Sequence, residues 1–209
     1  MSDLMLADLR EYDSYEGDKL NISVYNGWLS AESSAHLFNH ILKNAHWSKS
    51  TVSKGRRNKV IYGDPSIKSY EIMYRGERIV THVRPWSDMP ILEQLGRMIE
   101  TQTGQTYHTC VIQFYPDGNS GIKPHRDKEM VPKTIIASIS LGSTRKMRFG
   151  KSGSSSEEDQ IDIPLSSGTL CLINPPTNDY WLHSIPVSRS NCSNTPRISL
   201  VYRNTITYA

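Results

Sequence analysis

Three side chains carry the chemistry this sequence could perform. His125 and Asp127 stand two residues apart in I-K-P-H-R-D-K-E, and His183 lies far downstream in W-L-H-S-I-P. On an extended backbone, positions i and i+2 project to the same face, so an imidazole and a carboxylate would sit side by side as two corners of a metal site. His183 is the best candidate for the third corner. Two imidazoles and one carboxylate suit non-haem iron(II) and leave part of its coordination shell open to other ligands. The stretch that delivers the first pair runs from Val111 to Glu129, V-I-Q-F-Y-P-D-G-N-S-G-I-K-P-H-R-D-K-E. It opens as an apolar strand and breaks at the turn signal Pro116-Asp117-Gly118 before presenting the donors.

A second feature lies in the C-terminal run T-P-R-I-S-L-V-Y-R, where Arg197 and Arg203 interrupt an apolar strand six residues apart. At a period of two they share a face. Burying a guanidinium is costly unless a carboxylate pairs with it. Two on one face imply either two protein acids or a dianionic ligand held bidentately. Beside an iron site, a small dicarboxylate points to 2-oxoglutarate.

These residues need a scaffold, and the patterns supply one. Leu20–Tyr25 reads as an edge strand after a polar lead-in. Ser30 reads as a helix N-cap, with Leu37/Ile41 and Phe38/Leu42 spaced for an apolar stripe on a helix of roughly 14 residues. Lys49 to Lys59 is a basic loop, and Val60 to Val83 reads as short strands or lid-like loops. A second helix begins near Asp88 with Pro90 in its first turn, buries Ile91, Leu92, Leu95, Met98 and Ile99, and closes at Gly104. Thereafter the period shortens to strands: Thr109–Tyr115, Thr134–Leu141, Lys146–Phe149, Gln160–Ile163, Thr169–Ile173 and Arg197–Tyr202. The Ser-rich segment Lys151–Asp159 reads as a hairpin tip. Helices first and strands afterwards predict an antiparallel double sheet of the jelly-roll kind, with helices packed on one side.

Composition sets bounds. The chain has 209 residues, 37% hydrophobic and 22% charged, with a net charge of +3, which describes one ordinary soluble domain. Residues 1–23 hold six acids against two bases, whereas residues 54–86 hold eight bases against Asp64, Glu71 and Glu77, so one face should attract anions. Cys110, Cys171 and Cys192 are odd in number and scattered without a CxxC, which argues for a reducing interior. The acidic N-terminus lacks a signal-peptide core and no apolar run would cross a bilayer, so an intracellular monomer (cytoplasm or nucleus) without a membrane partner is expected.

The order H-x-D, distant His, then R-x5-R resembles the AlkB family of Fe(II)/2-oxoglutarate dioxygenases, which reverse alkylation damage in nucleic acids. Y-G-D-P, P-W, T-G-Q-T-Y, F-Y-P-D-G, H-R-D-K-E, I-A-S-I-S-L-G, G-T-L-C-L-I-N and H-S-I-P follow in family order from about Tyr62 to Arg203. The resemblance implies an α+β fold: a double-stranded β-helix (jelly roll) of antiparallel strands with N-terminal helices on one side and a nucleotide-recognition lid. As a single domain, 1–50 would be an N-terminal extension and helix, 51–86 the lid, 87–104 a helix and 105–209 the jelly-roll core. It implies His125, Asp127 and His183 as iron ligands. Tyr115 and Arg197 would hold 2-oxoglutarate, and Arg203 would support that pocket or Asp127. Glu129 matches the acid at the base edge, and Tyr70 matches an aromatic beside a flipped base. Two positions depart from the pattern: Gln113 and Ser199 stand where the family has Asn. Ile72 stands where some relatives place Phe.

The implied cofactors are Fe(II), 2-oxoglutarate and O2. The implied reaction is oxidative demethylation of N-alkylated bases of the 1-methyladenine and 3-methylcytosine type in DNA or RNA, with release of succinate and formaldehyde. A stacked base cannot reach a buried metal, so it must be flipped or single-stranded. That calls for cations and aromatics, and Arg56, Arg57 and Trp86 in the basic segment, with Tyr62, Tyr74 and His82, are expected to serve. Two rivals keep parts of this reading: a 2-oxoglutarate oxygenase acting on protein or a small molecule, and a non-catalytic jelly-roll binding module.

Overall fold

The computed structural model describes residues 12–49, 57–74, 76–154, 156–188 and 195–206. In chain order its elements are β1 (Asp13–Gly17), β2 (Leu20–Tyr25), α1 (Ala31–Asn44), β3 (Ser48–Lys49), β4 (Asn58–Gly63), β5 (Ser69–Tyr74), β6 (Glu77–His82), β7 (Arg84–Pro85) and α2 (Pro90–Thr103). There follow β8 (Thr109–Tyr115), β9 (Ile122–His125), β10 (Ile136–Gly142), β11 (Arg145–Lys151), β12 (Gln160–Leu165), β13 (Leu170–Ile173), the single turn α3 (Thr177–Tyr180), β14 (Trp181–Ile185) and β15 (Arg197–Arg203).

A large sheet runs β1-β2-β13-β10-β15-β8-β4-β3, with β7 added in parallel to β4. A smaller sheet runs β12-β11-β14-β9, and β5 pairs with β6 as a separate hairpin. This is the jelly-roll architecture that the strand spacing predicts, with both long helices on one side. The alternation of β8 shows why. Cys110 and Ile112 join the cluster packed on the helices, whereas Val111 and Tyr115 join clusters on the opposite face. The same holds for β15, where Ile198, Leu200 and Tyr202 turn to the helices and Arg197, Ser199, Val201 and Arg203 turn away.

The helices form where the sequence places their signals. Ser30 caps α1 by accepting from the Ser33 amide at 3.1 Å, a contact worth about 1 kcal/mol. Gly104 closes α2 in the left-handed region at φ 68°, which a side chain would resist. Leu92, Leu95 and Ile99 are fully buried against the large sheet, each contributing roughly 1.5–3 kcal/mol. Several strands were not expected as such. The lead-in forms β1, the two-residue strands β3 and β7 pair with β4, and both histidine-bearing segments form strands, β9 and β14. Strand β9 carries Pro124, which is tolerable because β9 is the edge of the smaller sheet.

Candidate metal centre and co-substrate cavity

The inner faces of the two sheets enclose the site. Strands β9 and β14 are antiparallel neighbours with His125 directly opposite His183, and the two ring centroids lie 4.3 Å apart. The strands approach closely where they enter this pair. A side chain at Gly121 would place its Cβ 2.6 Å from the Ile185 carbonyl oxygen. Asp127 lies just past the end of β9, outside the strand, where Asn178 fixes its backbone from both sides. The Asp127 amide donates to the Asn178 side-chain oxygen at 3.0 Å, and the Asn178 amide donates to the Asp127 carbonyl at 2.8 Å.

One donor atom each from His125, Asp127 and His183 lie within 4.8 Å of one another. His125 Nδ1 lies 2.9 Å from the Lys123 carbonyl, which can only accept, so Nδ1 donates to it and Nε2 is the ring nitrogen left to face the site. That Nε2 is 3.7 Å from Asp127 Oδ1. Burial by itself would raise the Asp127 carboxyl, but Arg203 and the two imidazoles outweigh it and hold its pKa at about 2. Burial, reinforced by His125, lowers His183 to about 4. At neutral pH the site therefore offers an ionised carboxylate and a neutral His183 ring, the forms that bind a metal.

The two arginines of β15 have different fates. Arg203 donates to Asp127 Oδ1 at 2.9 Å, lies 3.8 Å from Glu129 and reaches the Tyr70 hydroxyl at 3.4 Å. It is the protein-paired case. Arg197 is fully buried and has no carboxylate within ion-pair distance among the described residues. Its Nη2 donates to the Ser140 hydroxyl at 2.8 Å, while Nε and Nη1 have no hydrogen-bond partner among the described residues. Burial, with Arg145 nearby, depresses its pKa. Its guanidinium lies 5.2 Å from the centre of the Tyr115 ring, and Tyr115 is its cross-strand neighbour. The Tyr115 hydroxyl donates to Gln113 at 3.0 Å, and Gln113 in turn stands opposite Ser199. A buried cation with unmet donors is the feature a carboxylate ligand would complete.

Several expected contacts sit elsewhere. Trp86 is a core residue on the helix side of the large sheet, as is Tyr62, so neither faces the cavity. Arg57 is buried at 6% exposure, donates to the Gly121 carbonyl at 3.1 Å and lies 5.9 Å from the Tyr115 ring, so it points inward rather than at a phosphate on the surface. Arg78 pairs with Glu71, and Arg84 pairs with Asp88. Tyr70 is buried at the cavity wall with Ile61, Val83 and Val111, and Glu129 stands at the rim. Arg56 and the side chains of Ile72 and Tyr74 lie outside the described residues.

Three residues the sequence reading missed help build the site. Arg145, at 3% exposure, donates to the carbonyls of Asp117, Ser120 and Pro186, tying the turn before β9 to the exit of β14. Its period-two register with Met147 and Phe149 was the available signal. Asn178 and Lys59 gave none.

Residues 21–203 match the family described as the 2OG-Fe(II) oxygenase superfamily. The chain belongs to this superfamily, whose members use iron(II) and 2-oxoglutarate, and it is an AlkB-like oxygenase within it. It is similar to the human DNA oxidative demethylase ALKBH2, at 32% identity over 154 residues covering 70% of this chain and 56% of that one. It is also similar to the mouse alpha-ketoglutarate-dependent dioxygenase alkB homolog 3, at 27% identity over 193 residues covering 87% and 65%. The chain thus spans less than two thirds of the length of these relatives. The solved structure of OsALKBH1 superposes with a TM-score of 0.63 over 90% of this chain and 99% of that one; at 11% identity the likeness concerns the fold alone. No helix among the described residues is long and apolar enough to cross a membrane.

Proposed function

We propose that the chain is an oxidative nucleic-acid demethylase, acting on N-alkylated bases of the 1-methyladenine and 3-methylcytosine type in DNA or RNA. The observation that carries this reading is Arg197, a buried guanidinium with no carboxylate partner among the described residues, on the inner face of the large sheet opposite the smaller sheet that carries His125 and His183. Iron(II) would be held by His125 Nε2, the Asp127 carboxylate and His183. Bound there with 2-oxoglutarate and O2, it supplies the oxidation that converts an N-methyl group to N-hydroxymethyl while 2-oxoglutarate becomes succinate and CO2. The hydroxymethyl base then loses formaldehyde.

The chain's own groups do the placing. Arg197 and Tyr115 grip the distal carboxylate of 2-oxoglutarate, with Gln113 and Ser199 alongside in the next cross-strand row. Arg203 holds Asp127 ionised and in place. Tyr70 walls the base pocket and Glu129 accepts from the exocyclic amine of the base. The β5–β6 hairpin is the lid over this pocket, and the nearness of DNA oxidative demethylases among the relatives supports nucleic acid as substrate. The inward cavity carries Arg57, Lys59, Arg145, Arg197 and Arg203 against Asp127 and Glu129, an excess of positive charge suited to a dianionic co-substrate.

The inward turn of Arg57 and the burial of Trp86 favour a second reading, an oxygenase of the same chemistry acting on protein or a small molecule. One panel separates them: methylated single- and double-stranded DNA and RNA, scored by mass spectrometry for loss of the methyl group in the presence of iron(II) and 2-oxoglutarate. Methyl loss with stoichiometric succinate is expected. Succinate formation that no oligonucleotide stimulates would refute the nucleic-acid reading and leave the second one.

A further inference from the structure

Lys59 is a half-buried cation on the inner face of the large sheet, and its ammonium has no ion-pair partner among the described residues. It stands opposite Gln113, which stands opposite Ser199, which stands opposite Ser140, so one row of side chains crosses four strands of the large sheet. Its neighbour Val60 turns to the helix-side core, which directs Lys59 to the cavity. Its half-buried ammonium senses Arg203, Arg57 and Glu129, and among the described residues no carboxylate lies within ion-pair distance of it. Burial, then Arg203 and Arg57, lowers its pKa to about 8, with Glu129 opposing. Arg203 is committed to Asp127, and Arg197 lies on the next row toward Tyr115, so Lys59 is the donor left over on the Glu129 side.

Taking the cavity to be a pocket for an alkylated base, as proposed above, we infer that Lys59 donates to a ring carbonyl of that base, so that Glu129 and Lys59 together select 3-methylcytosine over 1-methyladenine. The chemistry of the two lesions differs on one side only. In 3-methylcytosine the methylated nitrogen is flanked by an exocyclic amine and by the O2 carbonyl. In 1-methyladenine it is flanked by an amine and by a C–H. An acceptor on one side and a donor on the other match the first and leave the ammonium unmatched against the second. Both lesions are cationic at neutral pH, so repulsion from the ammonium acts on both alike and the carbonyl decides. In 3-methylthymine a second carbonyl replaces the amine, which gains at Lys59 but turns its lone pairs on Glu129.

The test is a competition between oligonucleotides of one sequence carrying a single 3-methylcytosine or 1-methyladenine, with methyl loss scored by mass spectrometry. The wild type should favour 3-methylcytosine. Lys59→Met should lower the 3-methylcytosine to 1-methyladenine ratio by roughly 5- to 150-fold, the span of one good base contact. Lys59→Arg, which keeps a donor, should retain most of the preference. A Lys59→Met ratio within twofold of wild type overturns the assignment. Should Lys59→Met not fold, a wild-type protein without preference for 3-methylcytosine overturns it equally. Wild-type protein that turns over 2-oxoglutarate but demethylates neither lesion refutes the underlying base-pocket reading instead, and Lys59 falls with it.

Discussion

Replacing Arg197 with methionine should move stability and co-substrate binding in opposite directions. Arg197 is fully buried, and among the described residues two of its donor atoms lack partners while Nη2 donates to the neutral Ser140 hydroxyl. A buried charge without a counter-charge costs several kcal/mol, and an apolar side chain of similar length removes that cost. Even ~2 kcal/mol recovered would raise the melting temperature by roughly 4–8 °C in a domain of this size. Binding should suffer, because charge-assisted contacts to a carboxylate contribute about 1.5–3 kcal/mol. Losing about 2–3 kcal/mol raises the half-saturating 2-oxoglutarate concentration roughly 30- to 150-fold. Two measurements suffice: thermal unfolding with and without 2-oxoglutarate, and succinate formation against 2-oxoglutarate concentration. Wild type should gain stability from the ligand by mass action, and Arg197→Met should gain little. A methionine variant that melts below wild type without ligand, yet has an unchanged 2-oxoglutarate requirement, would show that the guanidinium is a structural group.

The other predictions concern the metal triangle, the strand contact beside it, and the row of polar residues across the cavity. His125→Ala and Asp127→Ala should both abolish demethylation, but Asp127→Ala should cost more in denaturant unfolding, because it leaves the buried Arg203 with only the longer 3.8 Å carboxylate contact to Glu129; equal stabilities would contradict that pairing. Gly121→Ala should weaken iron binding, measured by titration of apoprotein, since the added carbon meets the Ile185 carbonyl at 2.6 Å and must part the two histidine strands; unaltered affinity would show that the strands yield without moving the rings. Lys59→Met should be more stable than wild type below about pH 8, where the folded protein carries the ammonium against burial, and the gap should close as pH rises toward the ordinary lysine value of 10.5. A gap independent of pH in unfolding titrations would remove the burial argument. In a double-mutant cycle on the 2-oxoglutarate requirement, Gln113→Asn and Ser199→Asn should be non-additive by at least about 0.5 kcal/mol, with the double variant closer to wild type than Ser199→Asn; additive effects would separate the two sites.

What could be read from the sequence depended on whether an element's pattern was its own or its neighbours'. Strand β8 buries one face against helices and the other against the cavity, and its bounds, Thr109–Tyr115, were legible in full. So were the Ser30 cap and the Gly104 stop, because capping is local chemistry. Strands β9 and β14 were not legible. I-K-P-H contains a proline and two exposed residues, and W-L-H-S-I has no clean alternation; β14 is a strand because it pairs with both β11 and β9, and the edge strand β9 because it pairs with β14. The three candidate corners of the metal site were therefore found by residue type and order, while the hydrogen-bonded register that brings them together was not. The basic segment failed differently. Counting charges over residues 54–86 cannot say which way they face, and the alternation of Arg57, Lys59 and Ile61 against Asn58, Val60 and Tyr62 turns two of those cations into the cavity.

The two departures from the family pattern also change meaning once the sheet is assembled. Read along the chain, Gln113 is an amide with one methylene too many and Ser199 a polar group cut short, and each casts doubt on the pocket separately. Across the strands they are direct neighbours. A longer side chain beside a shorter one keeps the summed volume of the pair near that of two asparagines, the kind of exchange that packed interiors tolerate. The added methylene has a use as well: it lets the Gln113 carbonyl accept from the Tyr115 hydroxyl at 3.0 Å. That bond holds the phenol ring against the Arg197 guanidinium, with Ser140 on the other side. The proposed carboxylate pocket is thus braced by the residues that sequence comparison alone marks as its weakest points.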